Sequence, residues 1–99
     1  MTSTVSLRST VVAAKDQVSS DLGGEKAILD LKAGMYYGLD GVGARVWDLI
    51  QEPRDVGDIR NILMREYDVA PERCELDLLA LLQRLADEGL IEVRHAAPG

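Results

Sequence analysis

The sequence predicts a small α+β domain, in which a three-stranded antiparallel sheet is followed by three helices. The chain has 99 residues, the length of one domain with a single modest core. Between residues 17 and 39, short segments with strand-like patterns are separated by glycine-containing turns, which is typical of β-hairpins. After residue 40, apolar residues recur at helical spacing instead.

The three strands are predicted from the segments QVSSDL, EKAILDL and MYYGL. Gly23-Gly24 is a hairpin signal between the first two, and Gly34 supplies a glycine where the next short turn needs a positive φ. One face of the middle strand is more apolar than the other. This face carries Ala27, Leu29 and Leu31.

The helices are predicted from their end signals. Asp40 is expected to cap a first helix that reaches about residue 51, and Asp55 a second one that reaches about residue 67. Pro71 suits the first turn of a third helix, and Gly89 suits its end. Residues 90–94 are expected to add a short extended piece. We therefore expect residues 1–16 to be a weakly structured segment or an extra strand, 17–94 the folded domain and 95–99 a flexible tail.

Composition excludes several classes of protein. The net charge of −6 disfavours nucleic acid as a ligand, because an acidic surface repels phosphate. No apolar run approaches the length that crosses a bilayer, and the N-terminal residues do not form a secretory signal. A single cysteine, Cys74, precludes an internal disulfide and fits a reducing environment. We expect a cytoplasmic protein that binds neither membrane nor nucleic acid.

The sequence contains no convincing catalytic or metal-binding set. His95 is the single histidine and lies in the predicted tail, so Cys74 lacks a general base and is expected to be a buried small hydrophobe. Asp55 and Asp58 are better explained by the start of a helix than by a metal. The glycines near residue 41 are not followed by Gly-Lys-Ser/Thr, which a phosphate loop requires. We therefore predict a protein that is not an enzyme and has no cofactor.

The third helix has an unusually broad apolar surface. Leu79, Leu82 and Ala86 mark the middle of its expected buried stripe. Beside them runs a second stripe, so that the apolar arc spans roughly 160°, against the ~100° that a surface helix needs. The second stripe consists of Cys74, Leu78, Leu81 and Leu85. The helix is either wedged between several elements, or its second stripe forms one wall of a groove.

The strand at residues 35–39 is the natural candidate for the opposite wall. Met35, Tyr37 and Leu39 share one face, Tyr36 lies on the other, and Gly38 carries no side chain. If this is an edge strand, its free backbone groups can pair with an extended peptide, and Gly38 allows close approach. The alternative is that both tyrosines are ordinary strand residues packed on the helices.

The ordered series of these segments resembles the PqqD-like family, the small recognition domains of ribosomally made, post-translationally modified peptides. The matching features are EKAILDL, YYGLD opening a helix, ARVWDLI, VGDIRNILMREYDV and LLQRLADEGLIE, across about residues 17–93. No single motif is specific, whereas their order is. Asp40 stands where the family usually has Asn, and both residues cap helices.

The resemblance implies a winged-helix-like domain that binds the leader region of a precursor peptide as an added strand. It also implies presentation to a modifying enzyme, such as a leader peptidase or cyclase, with no chemistry of its own. The double tyrosine before LD and the GARVW segment are more similar to lasso-peptide systems than to the cofactor pathway that named the family. The expected peptide-binding residues are Met35, Tyr36, Tyr37, Gly38, Leu39, Cys74, Leu78, Leu81 and Leu85.

Two other functions are also compatible with the sequence. A winged-helix transcriptional regulator would fit the element order, although the third helix presents mainly acidic residues where base contacts need Arg, Lys, Asn or Gln. A non-catalytic scaffold or dimerisation subunit would pair the strand at 35–39 with its own copy. A basic patch in the folded protein would favour the first, and a stable dimer the second.

Overall fold

The computed structural model describes residues 5–15 and 17–94. These residues form six strands and three helices, which confirms the predicted α+β class. The predicted tail, including His95, and residues 1–4 and 16 of the N-terminal segment lie outside the described residues. In chain order the elements are β1 (Thr10–Ala13), β2 (Gln17–Asp21), β3 (Glu25–Asp30), β4 (Met35–Asp40), α1 (Gly41–Leu49), β5 (Arg54–Asp55), α2 (Val56–Glu66), α3 (Pro71–Asp87) and β6 (Ile91–Arg94).

The predicted sheet is the antiparallel meander β2-β3-β4. Its first hairpin turns at Gly23 and Gly24, whose φ values of 68° and 95° are both positive. Two consecutive positive φ values define the type I′ turn that matches the twist of a two-residue hairpin. The N–H of Leu22 donates to the carbonyl of Glu25 at 2.8 Å and closes this turn. The turn therefore sets the register in which Ile28 lies opposite Ser19.

A second antiparallel sheet, in the order β5-β1-β6, extends the predicted architecture. Thr10 pairs with Asp55 on one side of β1, and Val11 with Val93 on the other. These partners are distant along the chain, so hairpin spacing could not reveal them. Strand formation at such short segments depends on the neighbours that the fold supplies. The sheet ties the beginning and the end of the described chain to the helices.

The ends of α3 follow the sequence signals closely. Pro71 is in the first turn, and α3 ends just before Gly89, whose φ is 76°. The N–H of Leu90 donates to the carbonyl of Leu85 at 2.9 Å, and that of Gly89 to Ala86 at 3.0 Å. This is the hydrogen-bond pattern of a Schellman motif. It turns the chain from α3 directly into β6.

The aspartates at the helix starts behave differently from the prediction. Asp40 and Asp55 do occupy the N-cap positions of α1 and α2, but within the described part of the chain neither side chain makes a capping hydrogen bond. The carboxylate of Asp55 instead accepts a 2.8 Å hydrogen bond from the hydroxyl of Thr10, its partner in the second sheet. Tertiary pairing therefore replaces the local cap at this helix.

The face of β3 that meets the helices is the less apolar of the two. Ile28 is fully buried, whereas Leu29 and Leu31 are exposed. The inward face is completed by Lys26, whose ammonium lies 2.9 Å from Asp48 on α1 and 3.3 Å from Asp21. The hydrogen bond to Asp48 raises the pKa of Lys26 above its ordinary value. Ile28 and the ion pair of Lys26 are therefore what β3 contributes to the packing of the β2-β3-β4 sheet.

The core lies among the three helices and the inner faces of both sheets. Trp47 is the single tryptophan of the chain and is only 2% exposed, with no hydrogen-bond partner for its Nε1 in the described residues. Its burial makes it an intrinsic fluorescent reporter of unfolding. The largest fully buried residues besides it are Ile28, Ile50, Ile59, Leu63, Leu82 and Leu90.

Candidate functional site

A groove separates the outer edge of β4 from α3. It consists of a larger cavity of about 400 Å³ and a smaller one of about 180 Å³. Both cavities are lined by Gly38 and Leu39 of β4 and by Leu81 and Arg84 of α3, so they form one continuous depression. We call it the β4–α3 groove. It joins the two elements that the sequence singled out.

Strand β4 offers a free edge to this groove. Among the described residues it pairs with β3 alone. Because Leu22 and Glu25 form a hydrogen-bonded pair, alternation along β3 directs the backbone groups of Ile28 toward β4, where its partner is Tyr37. The N–H and C=O groups of Tyr36 and Gly38 therefore point away from β3. They are available to an added strand.

The side chains of β4 divide as the alternation predicts. Tyr37 and Leu39 are half-buried against the core, whereas Tyr36 is 65% exposed on the other face. Tyr36, Tyr37, Gly38 and Leu39 all line the groove. Met35 is exposed and lines neither cavity. Of the five candidates on this strand, the structure brings four together.

The wall formed by α3 differs in detail from the expected stripe. Cys74, Leu78 and Leu85 line the groove but are buried, so they belong to the core as well as to the cavity floor. Leu79 was predicted to lie in the middle of the buried arc but is only partly buried. The buried arc of α3 is therefore shifted toward the second stripe. Among the four predicted wall residues, Leu81 is the one that remains partly open to solvent. Both alternatives therefore apply to α3, which packs between several elements and also forms one wall of the groove.

The larger cavity is completed by apolar residues that the sequence did not indicate. Val42 comes from α1, Leu63 from α2, and Tyr67 and Val69 from the segment between α2 and α3. Val42 and Val69 are 40% and 41% exposed, so they form an apolar mouth. No local pattern marks these residues as a group, since they come together only when the helices pack.

The groove also contains charged residues on α3. Asp77, Arg84 and Glu88 lie four, three and seven positions from Leu81, which places all of them on its side of the helix. Helical spacing from Leu81 could have found them. Asp77 accepts a hydrogen bond from Arg73 Nε at 3.2 Å, so this pair is internally neutral.

A single hydrogen bond bridges the two walls. The hydroxyl of Tyr37 on β4 donates to Oε2 of Glu88 at the end of α3, at 2.8 Å. This bond holds the phenolic proton and raises the pKa of Tyr37 above its ordinary value, with burial adding to the effect. The tyrosine therefore stays protonated near neutral pH and links strand to helix at the end of the smaller cavity.

Cys74 behaves as a structural residue of the larger cavity. It is 7% exposed, and burial raises the pKa of its thiol above the ordinary value. A thiol that stays protonated at neutral pH is a poor nucleophile. In the described parts of the chain, no group of three or more His, Cys, Asp or Glu side chains is placed to hold a metal ion. The same residues include no helix that is long and apolar enough to cross a membrane.

Comparisons with known proteins identify the family of the chain. The family described as "Coenzyme PQQ synthesis protein D (PqqD)" matches residues 25–91. The solved structure of "TbiB1 in Complex with the TbiA(beta) Leader Peptide" is 34% identical and superposes with a TM-score of 0.78. The match covers 82% of this chain and 94% of that one. Curated proteins give no significant match. The family match and this structural relative agree with the order of elements described above, and the chain is a member of the PqqD family.

Proposed function

We propose that this protein is a non-catalytic recognition domain that binds the leader region of a ribosomally synthesised precursor peptide. The observation that carries the proposal is the free edge of β4 facing an apolar groove on α3. An extended peptide added to this edge would exchange main-chain hydrogen bonds with Tyr36 and Gly38. The relative TbiB1, which was solved with a leader peptide, supports the same ligand class for this chain.

The two cavities suggest how the peptide is selected. Main-chain bonds to a strand edge hold any extended sequence, so specificity must come from side chains that enter pockets. The larger cavity is lined mainly by apolar residues, including Val42, Leu63 and Leu78, and suits an apolar side chain of the peptide. Alternate residues of an added strand point to the same face. An apolar residue and a second residue two positions away would therefore both face α3.

We further propose that the domain presents the bound peptide to modifying enzymes such as a leader peptidase or cyclase, as in lasso-peptide biosynthesis. A leader held in the groove keeps the rest of the precursor close to an enzyme docked elsewhere on the domain. The effective concentration of such a tethered segment is on the order of mM when the linker spans the gap. Because the precursor is a ribosomal product, this role places the protein in the cytoplasm.

Fluorescence polarisation tests the proposal directly. The probes are labelled leader peptides encoded beside this gene, with a scrambled peptide as the control. We expect sub-micromolar, sequence-dependent binding that Leu81→Glu and Tyr36→Glu both weaken. The matched control is Leu76→Glu, which adds the same charge to α3 at a residue that is 65% exposed and lines neither cavity.

Two results would count against leader recognition. Binding that Leu76→Glu weakens as much as Leu81→Glu would move the site away from the groove. No binding to any neighbouring leader, by protein that is folded and monomeric, would contradict the function itself. Size-exclusion chromatography checks the second condition, because a dimer formed through β4 would occupy the edge permanently and support the scaffold alternative.

A further inference from the structure

Arg84 is an exposed cation at the centre of the β4–α3 groove. It lines both cavities, next to Leu81 on the helix side and across from Gly38 on the strand side. Among the described residues, no ion pair or hydrogen bond of its side chain is found. The other groove arginine, Arg73, is bound to Asp77. Arg84 is therefore the cation that the groove leaves available for a ligand.

The availability of Arg84 has a structural cause. Glu88 follows it by four residues, a spacing at which opposite charges on a helix commonly pair. In this structure the Glu88 carboxylate instead accepts the hydroxyl of Tyr37. The strand thus holds the acidic partner toward β4, and the guanidinium remains unpaired.

Among the described residues, the other carboxylates of the groove make no ion pair with Arg84. Asp77 is bound to Arg73, and Glu88 to Tyr37. Asp40 lines the larger cavity but not the smaller one, so it lies toward the other end of the groove. A peptide side chain that reaches the shared middle of the two cavities meets a free guanidinium above apolar residues. A guanidinium there favours a carboxylate, which it can bind with two parallel hydrogen bonds.

Resting on the proposed function, we propose that Arg84 is a specificity-determining residue that selects an acidic side chain in the bound peptide. The acidic residue would sit on the α3-facing side of the added strand, at a constant spacing from the apolar residue in the larger cavity. Tyr37 would act as a positioning residue, because its hydrogen bond holds the Glu88 carboxylate toward β4, where it makes no ion pair with Arg84.

A random dodecapeptide library displayed on phage provides the probe. It is selected in parallel against the wild-type protein, Arg84→Glu, Arg84→Gln and Arg65→Glu. Arg65 is the matched control, since it is exposed, lies in the last turn of α2 as Arg84 does in that of α3, and lines neither cavity. Both reversals change the net charge equally and oppose the helix dipole alike. Fluorescence of Trp47 verifies that each variant is folded.

We expect Asp or Glu to be enriched at one position in peptides selected by the wild type and by Arg65→Glu. Peptides selected by Arg84→Gln should show no such enrichment, and those selected by Arg84→Glu should be enriched in Lys or Arg at that position. For one selected peptide, reversing either charge should weaken binding about fivefold to tenfold, and reversing both should restore it.

The inference is overturned if peptides that compete for the groove show the same charge preference with and without Arg84. That outcome leaves the proposed function standing, because binding would still depend on Leu81. If instead no selected peptide loses affinity for Leu81→Glu, the groove is not the binding site. The proposed function and the role of Arg84 would then fall together.

Discussion

The backbone of Gly38 provides the sharpest test of strand addition. Its N–H points away from β3, so Gly38→Pro removes a group that a peptide needs and that the fold does not use. Proline is tolerated on edge strands when the missing N–H faces outward. Gly38→Ala is the matched control, because it keeps the N–H and its Cβ would lie in open space. The two variants differ at the free edge and little elsewhere.

The magnitude follows from one lost main-chain hydrogen bond. A peptide carbonyl left unpaired in the interface costs roughly 1–3 kcal/mol, which is about 5–150-fold in Kd. We expect Gly38→Pro to bind the leader peptide weaker by a factor in this range than Gly38→Ala does. Thermal unfolding followed by Trp47 fluorescence should give similar Tm values for both variants, since the paired bonds of β3 and β4 are intact.

Two outcomes would refute this reasoning. Equal affinity of the two folded variants would show that the peptide does not pair with the edge of β4 at Gly38. Unfolding of Gly38→Pro alone would show that its N–H is needed within the sheet. The N–H of Gly38 would then point toward β3, contrary to the direction that the Leu22–Glu25 hydrogen bond implies. Fluorescence polarisation detects the first of these outcomes, and a melting curve detects the second.

Three further predictions concern stability and reactivity. Leu82→Ala should cost roughly 2–5 kcal/mol in the free energy of unfolding, because Leu82 is fully buried. Leu76→Ala, at an exposed residue, should change it little, and equal denaturant midpoints for the two variants would contradict this prediction. Arg45 donates two hydrogen bonds to Glu66, at 2.8 and 2.7 Å, and holds the pKa of that carboxyl below its ordinary value. The wild type should therefore be more stable than Glu66→Gln near neutral pH, and this difference in stability should vanish as pH falls through the folded-state pKa of Glu66. A difference in stability that persists in acid would contradict the prediction. Cys74 should react slowly with a thiol reagent at neutral pH and rapidly once denaturant is added, and fast labelling of the folded protein would show that the thiol is not buried.

The sequence was sufficient for the β2-β3-β4 meander, for the three helices and for the two walls of the candidate site. Alternation and the pair Gly23-Gly24 specified the meander, because a type I′ hairpin depends on the conformational freedom of its own two residues. The helical recurrence of Leu78, Leu81 and Leu85 located the helix wall. These signals are short-range, so they survive without knowledge of the rest of the fold.

Tertiary structure decided which surfaces of those elements are used. The second sheet joins residues far apart in sequence, and it engages the carboxylate of Asp55 that the sequence assigned to a cap. Ile28 rather than Leu29 or Leu31 faces the core, on the same side of β3 as Lys26, which pairs with Asp48 of α1. The periodicity of apolar residues shows that a strand or helix has two different faces, but not which neighbour each face will contact.

The same distinction explains the charged part of the site. Composition showed an acidic protein, and by itself this argues against a ligand that carries carboxylates. Only the folded arrangement places Tyr37 beside Glu88 and leaves Arg84 unpaired in the groove. Strand alternation, turn glycines and helical spacing are properties of the chain, and they determined the fold class, the candidate edge strand and the helix that accompanies it. The availability of one guanidinium is a property of three side chains from two distant elements, so it was decided by packing alone.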